Sequence, residues 1–321
     1  MQAPANLMFW ILFLAFVILM LVLDLGVFNR KAHAVGLGES LGWTALWIGL
    51  AAGFAVLLYF HGHRITGDAT ETDRQLSLEF ITGYLVEAAL SVDNLFVFLL
   101  IFRHFKVPAE LQHRVLFWGI IGAIVMRAVF IAAGVTLLNR FQWVTYLFGG
   151  FLVYAGLKLA FQKKSALQPA DGFITRFAKR HLRMTGGFAG GAFTVRQNGM
   201  LCFTTLALVL LVVETTDVIF AVDSIPAVLA VTRQPYIVFT SNIFAILGLR
   251  ALYFVLAGLL DLFHLLHYGL AAVLIFVGAK MVGANYFEIP TLGALGVIVA
   301  ALAGSILLSL MHPAESARST E

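Results

Sequence analysis

Long apolar runs alternate along the chain with short clusters of arginine, lysine, histidine and proline. About 17 to 25 apolar residues in helical geometry cross a bilayer. By that measure nine segments are expected to span: 7–28, 41–60, 78–102, 116–138, 141–161, 201–221, 237–260, 268–283 and 292–311. The eighth is short. The first has no Lys or Arg before Arg30 and is longer than a signal-peptide core, so it reads as a retained helix.

Composition agrees with this pattern. Of 321 residues 61% are hydrophobic and 12% charged, against about 25% charged in an average soluble domain. The fold class expected is an all-α polytopic membrane protein. The single cysteine, Cys202, excludes an intramolecular disulfide framework and a cysteine-cluster metal site. The net charge of +4 reflects orientation more than nucleic-acid binding. Lys and Arg number 13 in the odd-numbered connections and C-terminal tail, against 4 in the even-numbered ones. By the positive-inside rule the N-terminus is then outside and the C-terminus in the cytoplasm.

That orientation makes 162–198 a cytoplasmic basic loop. Within it Phe173, Ile174, Phe177 and Leu182 alternate with Arg176, Lys179, Arg180 and Arg183, which suits a short helix on an anionic membrane surface or a solvated loop that sets orientation. Gly186 to Gly191 lack the Gly-Lys-Ser/Thr of a phosphate loop, so nucleotide binding is not expected.

Acidic residues inside apolar segments carry the chemistry. An ionised carboxylate in hydrocarbon is costly, and such residues usually face a bundle interior and mark an ion path. Glu214, Asp217 and Asp223 lie within E-T-T-D-V-I-F-A-V-D-S-I-P, and Glu87 and Asp93 within E-A-A-L-S-V-D-N. Both stretches read acid, five residues, Asp and a small polar residue, Asn94 or Ser224. Downstream, M-R-A-V-F around Arg127 matches L-R-A-L-Y around Arg250, and G-L-K ending at Lys158 matches G-A-K ending at Lys280. The Arg-to-Lys spacing is 31 residues in the first unit and 30 in the second. Each unit has three helices, so the two cross in opposite senses: a three-plus-three inverted-topology repeat, as in many secondary transporters. The divisions expected are 1–77 (two helices), 78–161 (first unit), the loop 162–198, 199–283 (second unit) and 284–321 (helix and tail).

Five acids against the mid-helix bases Arg127 and Arg250 leave −3 if all are ionised. With Asn94 and Ser224 they form an all-oxygen set, suited to Mg²⁺, Ca²⁺ or Mn²⁺ rather than Zn²⁺ or Cu⁺. The two arginines are expected to hold the acids in place and to replace the cation in an empty site. Lys158 and Lys280 lie near helix ends and are expected to snorkel to the interface. Asp24 reads as an interfacial residue. On a regular helix residues six apart diverge by about 120°. Each acid pair therefore converges only if its helix is interrupted, at Pro226 in the second unit and near Leu90-Ser91 in the first, or else its members meet different neighbours.

At these motifs and at S-N-I-F-A-I-L-G-L-R, Ser241 to Arg250, the sequence resembles the TerC family of integral membrane proteins, and its Alx-like branch, over nearly the whole chain. The resemblance implies manganese export across the bacterial cytoplasmic membrane, with links to alkaline response, tellurium resistance and metal supply to exported metalloenzymes. It places the acidic site on Glu87, Asp93, Asn94, Glu214, Asp217, Asp223 and Ser224. The expectation is a secondary Mn²⁺ exporter coupled to protons, with no tightly bound cofactor and no enzymatic activity. The competing expectations are a membrane partner that delivers metal to exported metalloproteins, efflux of another ion, and a two-metal hydrolase. The last lacks a nucleophile or general base beside the acids.

Overall fold

The computed structural model of the chain describes residues 7–26, 37–67, 70–161, 173–197, 199–259, 265–286 and 289–311. It is almost entirely helical. The order is α1 (Leu7–Gly26), α2 (Leu37–Thr66), α3 (Asp73–His104), α4 (Ala109–Arg140), α5 (Trp143–Phe161), α6 (Phe173–His181), β1 (Thr194–Gln197), β2 (Met200–Phe203), α7 (Thr205–Leu229), α8 (Pro235–Leu259), α9 (Leu266–Val282) and α10 (Thr291–Met311). Among the described residues seven of these helices, α2 to α5, α7, α8 and α10, are long and apolar enough to cross a membrane; α1 and α9 are shorter apolar helices.

Several boundaries differ from the sequence expectation. The span expected at 201–221 begins instead as a strand: Met200–Phe203 pairs antiparallel with Thr194–Gln197. The helix starts only after Thr204, whose hydroxyl accepts from the Ala207 amide and donates to the Ala192 carbonyl. A four-residue apolar strand and the first turn of an apolar helix have the same composition, so hydropathy cannot separate them. Neither expected interruption is present. Helix α7 runs through Pro226 to Leu229. Pro226 offers no N–H to the Val222 carbonyl and its ring crowds that turn, yet the helix continues three residues beyond it. Helix α3 is continuous past Leu90 and Ser91. The break in helical geometry is in α2, at His61 (φ −139°, ψ 17°).

Helices α3 and α8 form the buried centre, packed against each other. Helix α2 covers both, and α1 joins them through an aromatic cluster in which Phe13 meets Phe54, Tyr236 and Phe244. Helix α4 packs on α7 and α8, α3 also on α7, and α10 on α9 and α3. The apolar residues left exposed, such as Ile11, Leu57, Val129, Leu147 and Leu308, lie on the outer helix faces, where lipid replaces water as the solvent.

Helices α5 and α9 pack closely and antiparallel. A Cβ built on Gly156 would fall 2.8 Å from the Ala271 carbonyl oxygen and 3.0 Å from the Ile275 nitrogen. One on Gly278 would fall 2.7 Å from the Gly149 carbonyl oxygen and 2.9 Å from the Val153 nitrogen. Gly278, Ala271 and Ile275 each stand 122 positions after Gly156, Gly149 and Val153. The same backbone contact is thus made twice, with the helices exchanged. Only glycine permits this approach, which in a bilayer supplies the dispersion contact that holds helices together.

Candidate functional site

Arg127 on α4 has no solvent exposure, and four helices meet on its guanidinium. It forms an ion pair with Glu87 of α3. Its Nη1 donates to the Asn242 Oδ1 of α8 at 2.8 Å and to the Ser224 Oγ of α7 at 3.1 Å. Its Nη2 lies 4.0 Å from the Asp217 Oδ1 of α7. The periodicity of each helix turns these groups inward while the flanking apolar residues face lipid or neighbouring helices.

Short-range bonds fix the partners. The Ser91 hydroxyl donates to Glu87 Oε1 at 3.2 Å from the next turn of α3. Asn242 donates its amide to the Val238 carbonyl at 2.9 Å, which leaves its oxygen to face Arg127. Thr240 and Ser241 likewise return their hydroxyls to carbonyls of α8. The helix therefore carries a polar stretch through the centre of the bundle with its hydroxyls satisfied.

The cluster is incompletely satisfied. Glu87 Oε2, Asp217 Oδ2 and the Nε and Nη2 of Arg127 are buried without hydrogen-bond partners. Native interiors pair the great majority of such atoms, so each one left over calls for a water, an ion or a rearrangement. One guanidinium against two carboxylates also leaves the cluster at −1 when all three are ionised.

The structure gathers some of the expected site residues and disperses others. Glu87, Asp217, Ser224 and Arg127 come together, while Asn94 is buried about two turns further along α3. Glu214 is half-buried on the face of α7 toward α4, where its carboxyl fills the space a Cβ on Gly122 would take. It lies within electrostatic reach of Asp217. Asp223 is half-buried and faces the charge of Lys158. Asp217 and Asp223 thus meet different neighbours, as a regular helix requires of residues six apart. Among the described residues no group of three His, Cys, Asp or Glu side chains converges as metal ligands.

Arg250 is buried on α8. Lys280 is half-buried and lines a cavity together with Glu79, whose charge it feels. The side chains of Asp93 and Asp24, each within a helix, lie outside the described residues, as does 162–172 of the basic loop. The described part of that loop contains α6, with Thr175 and Ala178 buried and Arg176 and Arg180 exposed. Sequence reasoning missed Asn242, Ser91 and Gly122. The signal for Asn242 is a polar pair, Ser241-Asn242, eight residues before a buried arginine.

Comparison with known proteins agrees with a multi-pass membrane protein. The profile described as "Integral membrane protein TerC family" matches residues 72–317. A Myxococcus xanthus protein named "Uncharacterized membrane protein STKORF319" is 49% identical over 302 residues, covering 94% of this chain and 92% of that protein. Relatives provisionally named membrane-bound redox modulator Alx are 43% identical. The one from Photorhabdus laumondii aligns over 311 residues, 97% of each chain, and the one from Escherichia coli K12 over 301, 94% of this chain and 93% of its own. No solved structure matches. A profile match over most of the chain and relatives this similar along their whole length leave one assignment: this multi-pass membrane protein belongs to the TerC family.

Proposed function

We propose that the chain is a secondary transporter that exports a hard divalent cation, Mn²⁺ first among them, in exchange for protons. The observation that carries the reading is the Arg127 cluster: two buried carboxylates from helices α3 and α7, each with an oxygen left unpartnered, share one tethered guanidinium. A buried charge cluster whose members are only partly paired is a poor structural brace, because apolar packing would serve stability as well or better. It suits a site whose occupant changes. Arg127 fills the cation position when no ion is present, and an arriving Mn²⁺ would take over Glu87 and Asp217 with Ser224 as a neutral oxygen ligand.

Other features support the same reading. The exchange of contacts between α5 and α9, and the pairing of α3 with α8 and of α4 with α7, are what two inverted three-helix units would produce. Carboxylates that bind either metal or protons couple the two by competition. The positive-inside count puts α6 and the hairpin in the cytoplasm of a bacterial inner membrane, with the N-terminus outside. The word redox in the relatives' name finds no intramolecular dithiol here, since Cys202 is the chain's one cysteine.

The test is radiolabelled Mn²⁺ flux in proteoliposomes under an imposed pH gradient, for wild type, Glu87→Gln and Asp217→Asn at matched protein levels. Flux that follows the gradient and falls at least tenfold in both variants is expected. Folded wild-type protein that binds Mn²⁺ but moves none would overturn export and favour a metal-delivery partner.

A further inference from the structure

Helix α6 and the β1–β2 hairpin form one folded unit at the end of the bundle where α7 begins. The segment after α6 joins the sheet: the Thr185 amide donates to the Phe203 carbonyl and the Phe203 amide to the Arg183 carbonyl, each at 2.8 Å. The Arg183 guanidinium lies against the Met200 sulphur. The unit is also fastened to the membrane helices. Arg114 of α4 donates to the Gly191 carbonyl at 2.7 Å. Thr175 and Ala178, three apart on one face of α6, are buried, and α6 packs on α7.

This attachment sets the depth of the unit. Phe193, which leads into β1, meets the Trp118 ring of α4 edge-on with centroids 6.5 Å apart. Trp118 is an exposed residue of a span. Helix α4 has 32 residues, about 48 Å at 1.5 Å each, against a hydrocarbon core of about 30 Å. Trp118, nine positions after Ala109, therefore lies near the hydrocarbon boundary, where exposed tryptophan is enriched. The hairpin beside it is at the level of the headgroups.

The side chains of the unit suit that level. From Phe173 to Thr204 the sequence has five Lys and Arg and no Asp or Glu. Arg176 and Arg180, four apart on α6, share a face turned away from the buried one, and both are exposed, as is Arg183. Across the hairpin Arg196 opposes Leu201. Opposed residues share a face of the sheet, so an exposed arginine stands beside an exposed leucine. A solvated loop that only sets orientation needs the charge, but neither the depth nor the leucine.

We infer that this unit is a docking face for anionic phospholipid headgroups: Arg176, Arg180, Arg183 and Arg196 take the phosphates while Met200 and Leu201 enter the acyl boundary. Guanidinium groups bind phosphate oxygens in a fork, and a basic surface with an apolar edge gains from both charge and burial there. The inference stands apart from the transport reading, since lipid binds here whether or not an ion crosses the bundle.

The full chain carrying Cys202→Ser and a spin label on Gln197→Cys, an exposed position at the end of β1, tests it. The protein is reconstituted into vesicles of phosphatidylcholine alone or of an equal mixture with phosphatidylglycerol, and the label's accessibility to oxygen and to a water-soluble nickel complex reports its depth. In the mixture the label should lie about 5 Å deeper. Arg176→Gln, Arg180→Gln, Arg183→Gln and Arg196→Gln together should abolish the difference. So should about 1 M salt, which shortens the screening length from about 8 Å to about 3 Å. Equal depth in the two vesicles, or a difference that survives either treatment, would overturn the assignment. A label that stays in water in both would overturn it in favour of an acidic protein partner. If the fourfold variant does not fold, the salt dependence decides alone.

Discussion

Two regions of the bundle are each built by parts of both halves of the chain, and they are held together in opposite ways. At the α5–α9 seam the backbones touch through Gly149, Gly156 and Gly278, with no charge involved. At the crossing of α3, α4, α7 and α8, a fully buried arginine joins two carboxylates, an amide and a hydroxyl, and leaves buried polar atoms unpaired. The seam has no slack: any side-chain atom added there meets backbone. The crossing has unfilled capacity of a chemical kind, because polar atoms on both carboxylates and on the guanidinium lack partners. The contrast places the rigid element and the adjustable element of the molecule in different helices.

Breaking the crossing should have the largest effect. Arg127→Met leaves Glu87 and Asp217 buried without their counter-charge, and removing one partner of a buried pair costs about 3–5 kcal/mol. Thermal unfolding in detergent should show this loss, and Arg127→Met combined with Glu87→Gln should recover part of it. Breaking the seam comes next. Gly278→Val forces side-chain atoms against the Gly149 carbonyl, and overpacking of this kind costs about 1–3 kcal/mol. Gly156→Val should cost about the same, because it meets the equivalent atoms from the other helix; a difference of several-fold would argue against the exchanged contact.

Smaller changes sharpen the comparison. Gly122→Ala puts a methyl where the Glu214 carboxyl lies. It should shift Mn²⁺ affinity a few-fold in equilibrium binding while leaving unfolding nearly unchanged. Pro226→Ala restores a donor for the Val222 carbonyl without altering a helix that already continues through this position. It should stabilise the protein by about 1 kcal/mol or less, the net value of one hydrogen bond.

Much of this architecture is legible in the amino-acid sequence, and the reasons are physical. Apolar runs identify spans because the bilayer demands internally satisfied backbone. Acids and arginines within those runs stand out because their cost there is so high. Glu87, Asp217 and Arg127 stand out in this way and do meet. What the sequence hides depends on tertiary partners. Pro226 looks like a break, but α7 runs through it to Leu229. Residues 200–203 look like helix, because an apolar tetrapeptide carries no period long enough to tell. Glu79 looks like an ordinary polar residue near a helix start, and Lys280 like a snorkelling one; only packing brings them to one cavity. Asn242 joins Arg127 from a helix far along the chain, and nothing local specifies that meeting.

The central claim is that Arg127 and a divalent cation compete for Glu87 and Asp217. Mn²⁺ affinity of folded Arg127→Gln against wild type, measured in detergent at equilibrium, tests it most directly. The substitution removes the tethered cation and keeps a neutral polar side chain in its place. Two unit charges 4 Å apart at a protein-like dielectric interact by about 4 kcal/mol, so the binding that Glu87→Gln abolishes should tighten tenfold or more. Unchanged or weakened binding in a protein that remains folded would contradict the account and return Arg127 to a purely structural role.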